Sequence, residues 1–212
     1  MHTKAFNPEN SAVLLIDHQI GTMGWTHSHD INLVKQNAIK LAKIAAALNL
    51  PVILTSSMEE NVQGPLIPEL EEILPEAFAA RIKRPGIVNA MHHDGFNHAV
   101  KVLERKKLFV AGVTTEICVT FPVLQMLDEG YEVQVSADAS ASYTKYGDEL
   151  ALARMRAAGA IITTVDQIIS ELAIDWTSPN GQISGYTKLP LDPTGQFGYR
   201  KTLCPNLSKI LR

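Results

Sequence analysis

The sequence predicts an α/β fold, a three-layer α/β/α arrangement around a six-stranded parallel sheet. Short runs of Val, Ile and Leu read through without polar alternation, as strands buried on both faces do. These runs alternate with segments of helical spacing, as right-handed strand–helix–strand crossovers require. With 212 residues, 46% of them apolar and 19% charged, the chain can bury one sizeable core as a single domain.

In order along the chain, Ala12–Ile16 is a strand that ends at Asp17. From Asn32 to Leu48, apolar residues at Leu33, Val34, Ala38, Leu41, Ala42, Ala45 and Leu48 keep helical spacing. Pro51–Thr55 is a second strand, and Ile67–Leu74 a short helix between two prolines. Ala79–Val88 holds a short third strand. A helix over Asn97–Arg105 leads into the strand Leu108–Val113. The next helix, Thr115–Glu129, closes at Gly130 and contains Pro122, which is cheap in a first turn and disruptive deeper. Tyr131–Val135 is a strand, Gly147–Ala158 a helix closed by Gly159, Ile161–Val165 the last strand and Gln167–Ala173 the last helix. Residues 1–175 form the domain. Residues 176–212, rich in Pro, Gly, Asn and Thr and without periodicity, read as an irregular tail at a subunit interface.

A net charge of −3 without a basic run gives no footprint for nucleic acid. The N-terminus has no hydrophobic region of signal-peptide type. The most apolar long stretch, Ala38–Leu54, is broken by Lys40, Lys43, Asn49 and Pro51, so no membrane span is expected. Two cysteines, Cys118 and Cys204, make no disulfide framework, and a reducing cytoplasm is the expected compartment.

The chemistry centres on Leu108-Phe-Val-Ala-Gly-Val-Thr-Thr-Glu-Ile-Cys-Val119. A strand, a tight turn and a helix start place the Cys118 thiol among outward-pointing N–H groups, where it would be more acidic than a free thiol. Burial as a small core residue is the competing reading. Ligands in open α/β sheets bind beyond the carboxyl ends of the strands. Asp17 falls there too, either as a turn residue or as a base for the thiol. Lys83 and Arg84 supply cations, either as a solvated pair or with one turned into the crevice. Thr114 and Thr115 suit an N-cap, and their N–H groups, with that of Cys118, suit an oxyanion hole. His27, His29, His92 and His93 match no strong metal spacing. Gly21-Thr-Met-Gly24 has the wrong spacing for a dinucleotide fingerprint. Neither a metal nor another cofactor is expected.

Three separated segments, Ala12–Asp17, Arg84–Ala90 and Ala111–Cys118, together resemble the isochorismatase-like cysteine hydrolase superfamily, and within it the YcaC-like group, whose substrate is not settled. Ser136–Ser140 is similar to that family's segment at the end of the fifth strand. The resemblance spans residues 10 to 173. It implies a Rossmann-like sheet, a homo-oligomer and a triad of aspartate, lysine and cysteine. Asp17 and Cys118 match that pattern. The lysine position is Arg84, with Lys83 as its neighbour in reserve. Arginine keeps the charge but cannot donate a proton at neutral pH. The resemblance also implies a cis peptide between Val113 and Thr114, with the Thr114 and Cys118 N–H groups as the oxyanion hole. The family's D-x-H…H metal set is not found, so a nicotinamide substrate is disfavoured.

The function these readings support is C–N hydrolysis of a small amide or carbamoyl compound through a thioester. Met23, Trp25, Asn89 and Phe121 are expected near the substrate or as packing residues, from their closeness in sequence to the triad segments. The other readings are a thiol redox sensor and a non-catalytic binding protein on the same fold.

Overall fold

The computed structural model describes residues 5–187. Six strands form one sheet in the order β3-β2-β1-β4-β5-β6, with every pair parallel. The strands are β1 Ser11–Ile16, β2 Val52–Ser57, β3 Ile82–Arg84, β4 Lys107–Gly112, β5 Glu132–Ser136 and β6 Ile161–Thr163. The helices are α1 Ile20–Gly24, α2 Ile31–Ala47, α3 Glu69–Ile73, α4 Pro75–Ala79, α5 Asp94–Val102, α6 Thr120–Asp128, α7 Lys145–Ala157, α8 Val165–Ala173 and α9 Pro179–Thr187.

Every residue of β1 and β4 is buried, which accounts for the apolar runs Ala12–Ile16 and Leu108–Ala111 that follow Ser11 and Lys107. Alternate side chains then feed two cores. Val13, Leu15, Phe109 and Ala111 pack on the side of α2 and α8. Leu14, Ile16, Leu108 and Val110 pack on the side of α5, α6 and α7. Pairing runs from Ser11↔Lys107 to Ile16↔Gly112. The order reverses between these two strands, since β1 leads outward to β2 and β4 leads outward to β5. The crevice beyond a sheet opens at such a reversal.

Three expectations need correction. The helix read over Thr115–Glu129 is two pieces, one turn of π-helix at Thr115–Val119 and then α6. Pro122 is the physical reason: in a continuous α-helix it could not donate to the Cys118 carbonyl and its ring would clash there. With the helix restarting at Thr120, Pro122 sits in a first turn. Second, Leu33, counted on the inner face of α2, is 58% exposed. Third, the segment read as irregular from residue 176 contains α9. Ser178 Oγ accepts from the Gly181 N–H at 3.0 Å and Pro179 opens the helix, while Ile183 packs against the core. Caps and one inward residue outweigh a poor helical composition. The rest of the proposed tail lies outside the described residues. Two helices, α1 and α4, were not expected; each is five residues long. No described helix is long and apolar enough to cross a membrane.

Candidate active site

The carboxyl ends of β1 and β4 must come close for their following residues to share a crevice, and Gly112 allows it. A Cβ there would lie 2.6 Å from the Ile16 carbonyl oxygen and 2.9 Å from Val119 Cγ2. The Gly112 N–H goes to the buried Ser140 Oγ at 3.1 Å.

Asp17 follows β1 with a positive φ of 57°. That region is uncommon for a residue with a Cβ and is tolerated best by Asn and Asp. Its N–H still extends the β1–β2 ladder, donating to Thr55 O at 2.9 Å, and the chain then turns so that the Gln19 N–H returns to Asp17 O at 2.7 Å. The carboxylate is 1% exposed. Its Oδ2 accepts from Arg84 Nη2. Oδ1 is buried without a hydrogen-bond partner among the described residues.

Arg84 ends β3 and is equally buried. Nε donates to Thr55 Oγ1 at 3.0 Å and Nη1 to Ile87 O at 2.5 Å, which aims Nη2 at the carboxylate. Of the two adjacent cations, then, it is Arg84 that enters the crevice. Lys83 alternates to the other face of the strand and pairs with Glu59 at 2.8 Å.

Cys118 lies in the π-turn after β4 and is half-buried. Neighbouring N–H groups are anchored: Thr115 donates to Ala141 O at 2.8 Å, Glu116 to Ser142 Oγ at 3.2 Å and Val119 to Thr114 O at 3.2 Å. The Val113–Thr114 peptide is cis, and a backbone hydrogen bond from Thr114 reaches the sulfur. Thr115, whose N–H serves Ala141, is thereby committed to structure.

The electrostatics reverse one expectation. A thiol at a helix start should be acidic, but burial and then the neighbouring Asp17 charge push Cys118 well above the usual thiol range, outweighing the Thr114 bond and Arg84. Burial also raises Asp17, against the pull of the Arg84 charge and hydrogen bond. Each group shifts the other, so carboxylate and thiol titrate as a coupled pair. His18, next in sequence, faces away. Its ring meets Ala139 O at 2.9 Å through Nε2, and burial lowers it to about 4.

The residues expected around a substrate divide. Met23 belongs to the core on the α2 side. Asn89 accepts from the Met91 N–H and donates to Gln125 Oε1 at 2.8 Å, so capping and packing occupy its side chain. Trp25 ends α1 half-buried. Phe121 is 37% exposed, one turn beyond Cys118, with the Arg154 guanidinium over its ring. The sequence reading missed Thr55, Ile87, Ser140, Ser142 and Tyr143. Their clue was weak, since four carry hydroxyls and one acts through a carbonyl that many residues could supply. Among the described residues no group of three or more His, Cys, Asp or Glu side chains converges as a metal site would.

A family model for the isochorismatase domain matches residues 11–167. The chain belongs to the isochorismatase family. It is 40% identical over 167 residues to "probable hydrolase YcaC" of Escherichia coli, covering 79% of each chain. Among solved structures it is similar to YcaC from Pseudomonas aeruginosa, described with hexane-2,5-diol and covalent acrylamide. The TM-score is 0.83 at 38% identity, over 90% of this chain and 94% of that one. It is also similar to E. coli YcaC, described as an octameric hydrolase of unknown specificity. Here the TM-score is 0.79 at 39% identity, over 83% of this chain and 85% of that one. These matches agree with the YcaC-like resemblance and the three-layer fold read from the sequence.

Proposed function

We propose that this protein is a cysteine hydrolase that cleaves the C–N bond of a small amide or carbamoyl compound through a thioester. The observation that carries the reading is the buried Asp17–Arg84 pair electrostatically coupled to the half-buried Cys118 thiol at the sheet's reversal point. Asp17 Oδ1, with no other partner, takes the thiol proton as the sulfur attacks the carbonyl carbon. A carboxylate raised by burial is a better proton acceptor than a free one, and nearer the pH at which it must work. The Arg84 guanidinium opposes the burial that raises Asp17 and so favours its ionised form. The N–H groups of Thr114 and Cys118 hold the oxyanion. Asp17 then returns the proton to the departing nitrogen, and water cleaves the thioester with the same group as base. The thiol reforms and the acid product leaves.

The hydrolase name of the E. coli relative supports this reading. So does the covalent acrylamide on the P. aeruginosa relative, because acrylamide is a small amide that captures nucleophiles. The raised thiol weighs against the redox-sensor reading, since sensor cysteines are low-pKa thiols. No metal or other cofactor is needed for these steps. The expected homo-oligomer belongs to the same reading.

The test is ammonia release over a panel of small neutral amides. Wild-type protein should turn over at least one of them. Cys118→Ala and Asp17→Asn should each lower the rate about a thousandfold or more while keeping a cooperative unfolding transition. Wild-type rates in either folded variant would sink the mechanism.

A further inference from the structure

β1 turns out of the sheet at Asp17, while β2 continues to Ser57. In a parallel ladder, alternate residues of a strand present both N–H and C=O to the same neighbour. Thr55 is one such residue, and its carbonyl takes the Asp17 N–H at 2.9 Å. Ser57, two residues on, presents its N–H and C=O to the same side, where the backbone of β1 is gone. The side chain of Gln19 stands in its place. Oε1 accepts from the Ser57 N–H at 2.8 Å, and Nε2 donates to Ser57 O at 2.9 Å and to Gly64 O at 2.5 Å. These partners fix the amide's orientation, with the oxygen facing an N–H and the nitrogen facing two carbonyls. Gln19 is fully buried. It stands at the start of α1, yet its side chain makes no bond to that helix. The same stretch of β2 touches both members of the ion pair. On the β1 edge, Thr55 O holds the Asp17 N–H. On the β3 edge, Ser57 is the register partner of Arg84, the Met58 N–H donates to Arg84 O at 2.9 Å, and Thr55 Oγ1 accepts from Arg84 Nε. Ser57 is thus fixed between Gln19 and Arg84. Besides Arg84, the ionisable group acting on Asp17 is Cys118. His18 turns to Ala139 O, Glu59 beyond β2 is taken up by Arg81 and Lys83, and α1 carries no charged side chain.

We infer that Gln19 is a positioning residue: its amide supplies the rung that β1 gives up, so that Asp17 can leave the sheet while β2 and β3 stay extended and hold Arg84 against the carboxylate. Its part in hydrolysis rests on the cysteine-hydrolase reading; the rung itself does not. Without the amide, the Ser57 N–H and the Ser57 and Gly64 carbonyls lose their partner, and groups left unpaired away from water must move to find others. The end of β2 then shifts, and with it the Arg84 guanidinium. Arg84 opposes the burial that raises Asp17. A looser Arg84 therefore leaves Asp17 protonated up to a higher pH.

The experiment follows the rate at which iodoacetamide labels Cys118 as pH is varied, with labelling assigned by peptide mass mapping. Asp17 must be ionised to take the thiol proton, so the rate rises with pH along an acid limb, and no substrate is needed. Gln19→Met keeps the length of the side chain and removes the amide. Its limb should move to higher pH, with the rate on the limb about threefold or more below wild type and the plateau above it within about twofold. On an Arg84→Met background, Gln19→Met should move the limb no further, because the cation it acts through is gone. A limb that stays in place in folded Gln19→Met, or one that moves as far without Arg84 as with it, overturns the inference. The first outcome makes Gln19 a loop clamp alone, and the second puts its effect elsewhere. Should the variant not fold, hydrogen exchange resolved to single amides in the wild-type protein tests the rung directly. The Ser57 N–H should exchange as slowly as its neighbours in β2, and exchange at the rate of an open loop overturns it. Ammonia release from small amides is followed in parallel. No release by wild-type protein would remove the hydrolase reading and leave the labelling limb to decide the role of Gln19.

Discussion

At the scale of single residues, Arg84 carries the tightest constraint. It is a buried cation whose hydrogen bonds to Thr55 Oγ1 and Ile87 O fix the guanidinium for the third, to the Asp17 carboxylate. Lysine could keep the charge but not the fork. Arg84→Lys should therefore retain the fold and lose about tenfold in kcat/KM, because two of the three bonds have no counterpart in an ammonium on a flexible stem. Arg84→Met leaves Asp17 buried without its cation, a change that costs about 3–5 kcal/mol when the survivor stays charged. Asp17 is already raised by burial, and Arg84 is what holds it down. Removing Arg84 raises it further. Activity that needs Asp17 ionised appears as pH rises through that value, so the acid limb of the kcat/KM profile should move to higher pH in Arg84→Met. A limb that stays in place would show that the titrating group is not Asp17. The sequence made Asp17 and Cys118 legible because each follows an apolar run that can only be a buried strand. It left Arg84 and Lys83 open, because side-chain alternation on a three-residue strand is invisible until the strand's ends are known. The acidity of Cys118 was misread for a related reason. A helix start is local and visible, whereas burial and a carboxylate a hundred residues away are not.

At the scale of elements, the site depends on how closely β1 and β4 approach. The Ile16↔Gly112 pair is the last rung before both strands release their functional residues. A methyl group at Gly112 would press on backbone, the Ile16 carbonyl at 2.6 Å, as well as on Val119 of the π-turn. Backbone cannot rotate away as a flexible side chain can. Gly112→Ala should cost about 1–3 kcal/mol, seen as a Tm lower by roughly 5 °C, with activity falling more than stability because the strand ends and the π-turn are pushed apart together. An unchanged Tm and rate would mean that the close approach is not needed. Elements with strong periodicity or unbroken apolar runs, such as α2, β1 and β4, were legible within a residue or two. The π-turn was not, although its cause was visible: Pro122 marks where an α-helix from Thr115 must fail, but not what replaces it. Helices of five residues such as α1 and α4 bury too little to leave a pattern. In α9 the informative signals were Ser178 and Pro179, and the Gly and Asn around them masked the start.

At the scale of the whole molecule, seven of the thirteen large apolar side chains exposed among the described residues gather at one end of the sheet, while Leu33, Val102, Leu150, Ile161, Ile174 and Trp176 are scattered elsewhere. Ile20 follows β1, Met58 and Val62 follow β2, Val88 follows β3, Phe121 follows β4, and Tyr143 and Tyr146 follow β5. All lie beyond the carboxyl ends of the strands, around the crevice that holds Cys118. The loops carrying them are tied together: Ile20 and Gly21 donate to Pro65 O and Gln63 O, and Met58 to Arg84 O. Scattered apolar residues need no explanation, but a rim of them drawn from five loops is what a partner surface looks like. The sequence could not show this, because the residues are isolated along the chain and only the parallel topology gathers them at one end. A like copy is the occupant that fits the expected homo-oligomer, and the E. coli relative is described as octameric. Light scattering at micromolar concentration should thus return a multiple of the 23.2 kDa chain mass. Val62→Glu together with Tyr146→Glu should shift it toward the single chain, since two desolvated carboxylates per copy oppose association. A wild-type protein that stays monomeric across that range would leave the rim free, and some other surface would have to cover it.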